Sequence, residues 1–209
     1  MPFLSPLTLT GNLVTLEPLT ALHHDDLVAA SRDGELWNLW YTSVPRPEEM
    51  RAEIERRLRL QTEQSMLPFT VRRSATGVIC GMTTFMAADA VNRRVEIGST
   101  WTAAGVHRTG INTESKLLLL THAFESLNCI AVEFRTHWMN RQSRAAIAGL
   151  GAKQDGVLRN HAQSADGALR DTVVFSVIQS EWPTVRKDLR HKLEQGLRHR
   201  TDANRAPSV

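Results

Sequence analysis

Residues 96–120 read E-I-G-S-T-W-T-A-A-G-V-H-R-T-G-I-N-T-E-S-K-L-L-L-L and hold the clearest chemical content of this chain. A carboxylate, Glu96, stands on an extended segment. That segment passes through a loop holding Gly105 and Gly110 into a helix opening on Ile111, Asn112, Thr113 and Glu114. The first N–H groups of a helix lack internal acceptors and carry the positive end of its dipole, so they attract anions. Gly110 allows close backbone approach, and His107 and Arg108 add side-chain donors. The chemistry that fits is phosphate or pyrophosphate binding. Spacing alone fits equally a plain helix start capped by Thr113. Upstream, Trp37, Trp40 and Tyr41 fall within five residues. They form either the wall of an apolar pocket or ordinary core packing.

These groups need a scaffold, and hydrophobic periodicity supplies its elements. Residues 12–17 alternate as a strand. Thr20 caps a helix over 21–32, with Asp25 and Asp26 early, ended by Asp33 and Gly34. Pro47 opens a helix to about residue 64, turning Met50, Ile54 and Leu58 inward and Glu53, Glu55, Arg56 and Arg57 outward. Residues 69–73 and 78–85 form a hairpin, followed by a strand over 94–100. The helix after Gly110 buries Leu117, Leu120, Phe124 and Leu127, with Asn128 at its C-terminus. A strand at 131–136, a helix at 143–150 closed by Gly151, and strands at 153–159 and 172–178 around Asp166 and Gly167 follow. A terminal helix covers 183–197. This order predicts an α/β (α+β) fold, a mixed sheet with helices on both faces. Neither strict alternation nor a G-x-G-x-x-G motif supports a Rossmann fold.

The loop resembles the acyl-CoA pyrophosphate loop of the GNAT superfamily of N-acetyltransferases, usually Q/R-x-x-G-x-G/A. Here it reads His107, Arg108, Thr109, Gly110, Ile111, Asn112. The resemblance runs from Leu13 to about Trp182. It is closest to the branch that acetylates the N-terminal amine (alanine or serine) of ribosomal proteins. The E-I-G strand, the G-I-N-T-E helix start, the turn at Asn140, Arg141, Gln142 and Ser143, L-G-A with Asp155 and Gly156, and Arg170 with Asp171 carry it. His107 replaces the usual first Gln or Arg, and Asn112 the last small residue. Because such a loop binds phosphate through main-chain N–H groups, both changes are tolerable.

The resemblance implies a GNAT-type, mostly antiparallel sheet of about seven strands flanked by helices. It divides the chain into a leader at 1–10, an acetyl-CoA-binding acetyltransferase domain at 11–182 and a basic helix and tail at 183–209. It also implies direct acetyl transfer from acetyl-CoA to an amine, a peptide or protein α-amine or a small-molecule amine, in a ternary complex. An ammonium has no lone pair, so a carboxylate base must first take a proton, directly or through water. Glu96 matches the glutamate many members use, and Asp155 stands where the ribosomal-protein branch carries a catalytic Glu. Their bland alternatives are an ion pair of Glu96 with Arg94 or Arg135, and a simple bend at Asp155 and Gly156. Many members protonate the leaving thiolate with a tyrosine, but the single tyrosine here is Tyr41, far upstream. Ser143 matches the serine proposed for that step, and Asn140 a contact to the pantetheine arm; both suit capping a helix equally well. Main-chain N–H groups near Ser99, Thr100 and Trp101 are expected to polarise the thioester carbonyl. With Thr109 and Thr113 these complete the expected cofactor contacts. Trp37, Trp40 and Tyr41, with Trp138 near the Asn140 turn, are the expected acceptor wall.

Composition narrows the alternatives. Apolar residues make up 42% and charged residues 22% of the 209, a globular balance. No apolar run approaches a membrane span and no signal-peptide pattern opens the chain, so a cytoplasmic protein is expected. Cys80 and Cys129 are widely separated, which suits two reduced structural thiols. The eight histidines fit no metal-ligand spacing, and no metal site is expected. Net charge is +3, with Arg186, Lys187, Arg190, Lys192, Arg198, Arg200 and Arg205 crowding the C-terminus. That stretch reads as a solvated helix and tail rather than a nucleic-acid surface. A non-catalytic acyl-CoA sensor is the rival within the same fold. A homodimer is common in the superfamily, but no segment here specifies an interface.

Overall fold

The computed structural model describes the backbone of residues 3–164 and 166–205, and side chains as far as residue 197. Eight strands form one sheet: β1 (Leu9–Thr10), β2 (Val14–Pro18), β3 (Met66–Arg73), β4 (Ile79–Asp89), β5 (Arg94–Thr102), β6 (Ala131–His137), β7 (Lys153–Gln163) and β8 (Leu169–Ile178). Their spatial order is β1-β2-β3-β4-β5-β6-β8-β7. Every neighbouring pair is antiparallel except β5 with β6. The expected seven become eight because two residues before Gly11 pair as β1 with Leu16 and Thr15. Leu4 is likewise buried in the core.

The helices are α1 (His24–Arg32), α2 (Met50–Thr62), α3 (Ile111–Thr121), α4 (Arg141–Gly149) and α5 (Trp182–Arg205). Successive strand residues point to opposite faces. On β4, Thr84 Oγ1 accepts from Arg57 of α2, and Thr83 Oγ1 accepts from Lys116 of α3. So α2 and α3 cover opposite faces. α1 packs with α2 on β3 and β4, and α5 packs beside α3. There Trp182 stacks on Phe124 at 5.3 Å and donates to Glu125. α5 runs past the expected end at 197; residues 206–209, and the side chains of Arg198, Arg200 and Arg205, lie outside the described residues.

Arg57 departs from the expected outward direction, being 1% exposed. Its donors are satisfied inside: Nε bonds Glu53 at 2.6 Å, Nη1 bonds Thr84 at 2.7 Å and Nη2 the Ser99 carbonyl at 3.1 Å. A guanidinium so matched tolerates burial. The helix after Gly110 departs too. Leu119 and Leu120 are fully buried, whereas Leu117 and Leu127 are only partly so. A π-helical turn at His122–Ser126 adds a residue to the turn and shifts the inward face, so the 3,4,3 rhythm does not carry through to Leu127. Cys80 and Cys129 are free and buried, and burial pushes both thiols up to about 11, which keeps them protonated. Among the described residues no helix is long and apolar enough to cross a membrane.

Glu114 ties α3 to the start of the sheet. Its carboxylate, 5% exposed, accepts from the N–H groups of Asn12, Leu13 and Val14 at 2.6–3.0 Å. Those three donors would be stranded by truncation. Glu114→Ala is therefore expected to cost on the order of 3 kcal/mol of stability, read as a lower urea midpoint at unchanged slope.

Candidate active site

The site begins where β5 and β6 part. Their parallel pairing covers only Arg94 with Ala131, Val95 with Val132 and Glu96 with Glu133. Beyond Glu96 the side of β5 facing β6 has no strand partner among the described residues. A bulge pushes β5 further off course. Met82 pairs with Trp101 and Thr84 with Gly98, so Ser99 and Thr100 together face one residue of β4. Ser99 takes φ +45°, in the left-handed region that costs an ordinary residue about 1 kcal/mol or more. Each arm of the fork then runs into a helix N-terminus, β5 into α3 and β6 into α4.

The β5 arm ends in a backbone cradle. Gly110 takes φ +87° as the N-cap of α3, which requires glycine, and Arg108 adds a second positive φ of +60°. The N–H groups of Arg108, Gly110, Ile111, Asn112 and Thr113 find no acceptor among the described residues. Five free donors at a helix N-terminus fit an anion such as a pyrophosphate. His107 does not extend its ring freely here, since Nε2 lies 3.1 Å from the Thr102 carbonyl. Thr109 likewise donates to the Val106 carbonyl. The cradle is braced by the end of α1. Asp33 accepts from the Gly105 N–H at 2.8 Å, and its carbonyl accepts from Ala104.

Both candidate carboxylates lie on the α2 face of the sheet, along one row of neighbouring strands. Glu96 aligns with Glu133, Glu133 with Ser176, and the Ser176 hydroxyl donates to Asp155 at 3.0 Å. Three strand spacings separate Glu96 from Asp155, about 14 Å. They do not serve one amine together. Glu96 is 8% exposed. Burial pushes its carboxyl up, the Arg135 guanidinium at 3.5 Å pulls it back down, and Glu133 pushes it up again. Arg94, the other partner expected for Glu96, bonds Glu133 instead. Asp155 is exposed and sits in a β7 bulge between Gln154 and Gly156.

The expected aromatic wall is brought partly together. Trp40 meets Tyr41 edge-on at 5.5 Å and His137, at the tip of the β6 arm, at 5.1 Å. Trp40 is 66% exposed, so it is not core packing. Trp37 stands on the short turn Leu36–Asn38, partly buried, without a ring contact to the other three. Trp138 lies under the Arg144 guanidinium at 4.4 Å, beside α4. Asn140 caps α4 by accepting the Ser143 N–H at 2.9 Å, which commits its carbonyl oxygen. The Ser143 hydroxyl has no partner among the described residues.

With this geometry established, comparison with known proteins decides the family. Residues 14–153 match the model of the Acetyltransferase (GNAT) domain. This chain belongs to the GNAT acetyltransferase family. A protein named "Putative ribosomal N-acetyltransferase YdaF", of Bacillus subtilis (strain 168), is 34% identical over 106 residues. That match covers 51% of this GNAT chain and 57% of YdaF, so it spans little more than half of the curated relative. The crystal structure of a GCN5-related N-acetyltransferase from Brucella melitensis superposes with a TM-score of 0.80 at 31% identity. It covers 91% of this chain and 86% of that one. Mycobacterium smegmatis RimJ, solved in complex with CoA-disulfide, shares the fold at a TM-score of 0.70 and 21% identity over 88% and 91% of the two chains.

Three groups at this GNAT fork escaped sequence reasoning: Arg57, Lys116 and His137. Burial, aided by Arg170, pulls the His137 imidazole down and so favours its neutral form; Asp171 opposes this. Its Nδ1 accepts the Met139 N–H at 3.0 Å. A histidine at a strand end carries no local signal, and a lysine or arginine at helical spacing reads as solvated. The cradle gives a direct test. Gly110→Ala must hold a left-handed backbone or distort the free donors, and CoA affinity is expected to fall about tenfold by calorimetry.

Proposed function

We propose that this chain transfers the acetyl group of acetyl-CoA to a primary amine in a single ternary complex. The acceptor is a peptide or protein N-terminal α-amine, or a small-molecule amine. The observation that carries this reading is the fork. One arm ends in a cradle of free N–H groups and the other in the α4 start, with a buried carboxylate where they part. The N–H groups of Arg108, Gly110, Ile111, Asn112 and Thr113 hold the pyrophosphate, with Arg108 adding charge. The β5 bulge at Ser99, Thr100 and Trp101 presents main-chain N–H to the thioester carbonyl. Acetyl-CoA supplies an activated acyl group with a thiolate leaving group.

Glu96 stands at the base of the fork and takes the proton from the incoming ammonium, through a water where the amine lies out of reach. Asp155, farther along the sheet, is the alternative base. The Ser143 hydroxyl, without a partner among the described residues, donates to the leaving sulfur. Asn140 positions Ser143 by capping α4. Trp40, Tyr41 and His137 form the acceptor wall, with Trp37 and Trp138 beside it. The kinship with YdaF, whose name assigns it a ribosomal N-acetyltransferase role, supports a protein α-amine. All of this falls within residues 11–182, and the basic helix that follows packs Val185 and Leu189 into the same core.

Acetyl-CoA-dependent thiol release across peptides with different first residues and a set of small amines tests the reading. Turnover on peptide α-amines supports the protein acceptor, and turnover on small amines alone makes this a metabolite enzyme. CoA binding without any acetyl transfer would leave a sensor of the same fold. Removing the base is expected to lower kcat about 100-fold or more. If Glu96→Gln keeps full turnover while Asp155→Asn loses it, the base is Asp155.

The pH profile carries a signed expectation. Glu96 must be ionised to accept a proton, and burial raises its pKa, so kcat/KM falls as pH drops through a value above the ordinary Glu 4.5. Arg135 favours the ionised form, so Arg135→Met is expected to move that acid limb to higher pH. Glu133 disfavours it, so Glu133→Gln is expected to move the limb to lower pH. Shifts in the same direction, or none, would remove Glu96 from the base role.

A further inference from the structure

Two buried basic side chains approach the β5 bulge from opposite faces of the sheet. From the α2 face, Arg57 Nη2 donates to the Ser99 carbonyl at 3.1 Å, with Nη1 on Thr84 at 2.7 Å. From the α3 face, Lys116 Nζ donates to Thr100 Oγ1 at 2.6 Å and Thr83 Oγ1 at 3.0 Å. The two hydroxyls lie 2.8 Å apart, closing a triangle. Arg57 has Glu53 as its counter-charge, but Lys116 pairs with no carboxylate among the described residues. Burial drives its amine down to about 7. A lysine held this way, 5% exposed on the helix that follows the cradle, is costly to keep. Its two acceptors match the two N–H donors of a neutral amine.

The peptide unit joining Ser99 to Thr100 is what both side chains fix. In a trans peptide the C=O and the following N–H point in opposite directions. Arg57 holds the Ser99 carbonyl toward α2, so the Thr100 N–H points away from the guanidinium. A charged donor on the carbonyl also polarises the peptide, making that N–H a stronger donor. Lys116 anchors the Thr100 side chain from the other face, so the residue carrying that N–H does not rotate. Ser99 holds its left-handed conformation between these anchors.

We propose that Arg57 and Lys116 are positioning residues for acyl transfer, clamping and polarising the Ser99–Thr100 peptide so that its N–H receives the thioester carbonyl. This rests on the acetyl-CoA reading above. Neither side chain touches the substrate; both act through one peptide unit. In this role the buried Lys116 trades stability for the direction of one N–H.

Isotope-edited infrared spectra of acetyl-CoA carrying carbon-13 at the acetyl carbonyl test the clamp without requiring an acceptor amine. Bound to the natural protein, the thioester stretch is expected below its frequency in free solution. Lys116→Met fills a similar volume and leaves Thr83 and Thr100 bonded to each other. It is expected to melt at or above the natural temperature and to keep acetyl-CoA affinity within about threefold, yet to lose roughly half or more of the frequency shift. Thr100→Val is expected to lose the shift, Thr100→Ser to retain it, and Lys116→Met with Thr100→Val to be no worse than either alone. Arg57→Lys, which keeps the charge and not the geometry, is expected to reduce the shift as well. Should Lys116→Met fail to fold, the Thr100 pair decides alone. An undiminished shift in Lys116→Met, or equal shifts in Thr100→Val and Thr100→Ser, would overturn the clamp. Acetyl-CoA bound with no shift in the natural protein would overturn it too, leaving the cofactor reading intact. A natural protein binding neither acetyl-CoA nor CoA would sink the cofactor reading and the clamp together.

Discussion

Parallel pairing of β5 with β6 stops after three residue pairs, and the rest of the site follows from that stop. Parallel neighbours need a crossover, which here is the loop after Thr102 followed by α3. The crossover brings the free N–H groups of the α3 start to the mouth of the gap. The bulge at Ser99 and Thr100 prevents the two strands from closing again, because one strand cannot remain in register with β4 and β6 at once. β6 is free to pair with β8 along its full length. The gap is thus a property of the sheet's topology, not of a mobile loop.

Holding such a gap open requires interactions that outweigh the tendency of exposed strand edges to pair. The chain meets this with buried polar side chains rather than with more apolar surface. Arg57 donates once from each of its three nitrogens inside the α2 face, Lys116 donates to two hydroxyls on the α3 face, and Glu114 accepts three main-chain donors from the start of the sheet. Buried ionic groups add little net stability, because desolvation offsets most of their attraction. Their directional hydrogen bonds specify one backbone arrangement, which a cluster of leucines would not do.

The same economy links the loop before α3 to the aromatic loop. Asp33 and Gly34 end α1, start the aromatic loop and rest on the loop before α3. A Cβ at Gly34 would come within 2.4 Å of the Ala104 Cβ. Asp33 accepts from Gly105 at the same place. The loop bearing Trp40 and Tyr41 is therefore rooted at one end on the loop before α3 and reaches His137 on the β6 arm. The aromatic cluster and the cradle of free N–H groups share a foundation.

Much of the architecture was legible in the residue order because its causes are local. Alternation marked most of the strands, Gly110 marked where the backbone ahead of α3 allows close approach, and Asn140 suited the cap of α4, all within a few residues of the feature explained. Glu96 and the cradle could be paired because one strand and one loop join them. The direction of Arg57 could not be read, since its partner Ser99 lies 42 residues away and its partner Thr84 lies 27 away. Lys116 was hidden for the same reason, with Thr83 on a strand 33 residues earlier. The 14 Å between Glu96 and Asp155 depends on β8 lying between β6 and β7, an order that follows from sheet packing and from no local pattern. The sequence by itself determined most of the elements and the glycine-bearing loop ahead of α3, since backbone torsions and short-range periodicity decide those. Tertiary structure alone decided which charges turn inward and which carboxylate sits at the fork, because burial and hydrogen-bond partners exist only once distant strands meet.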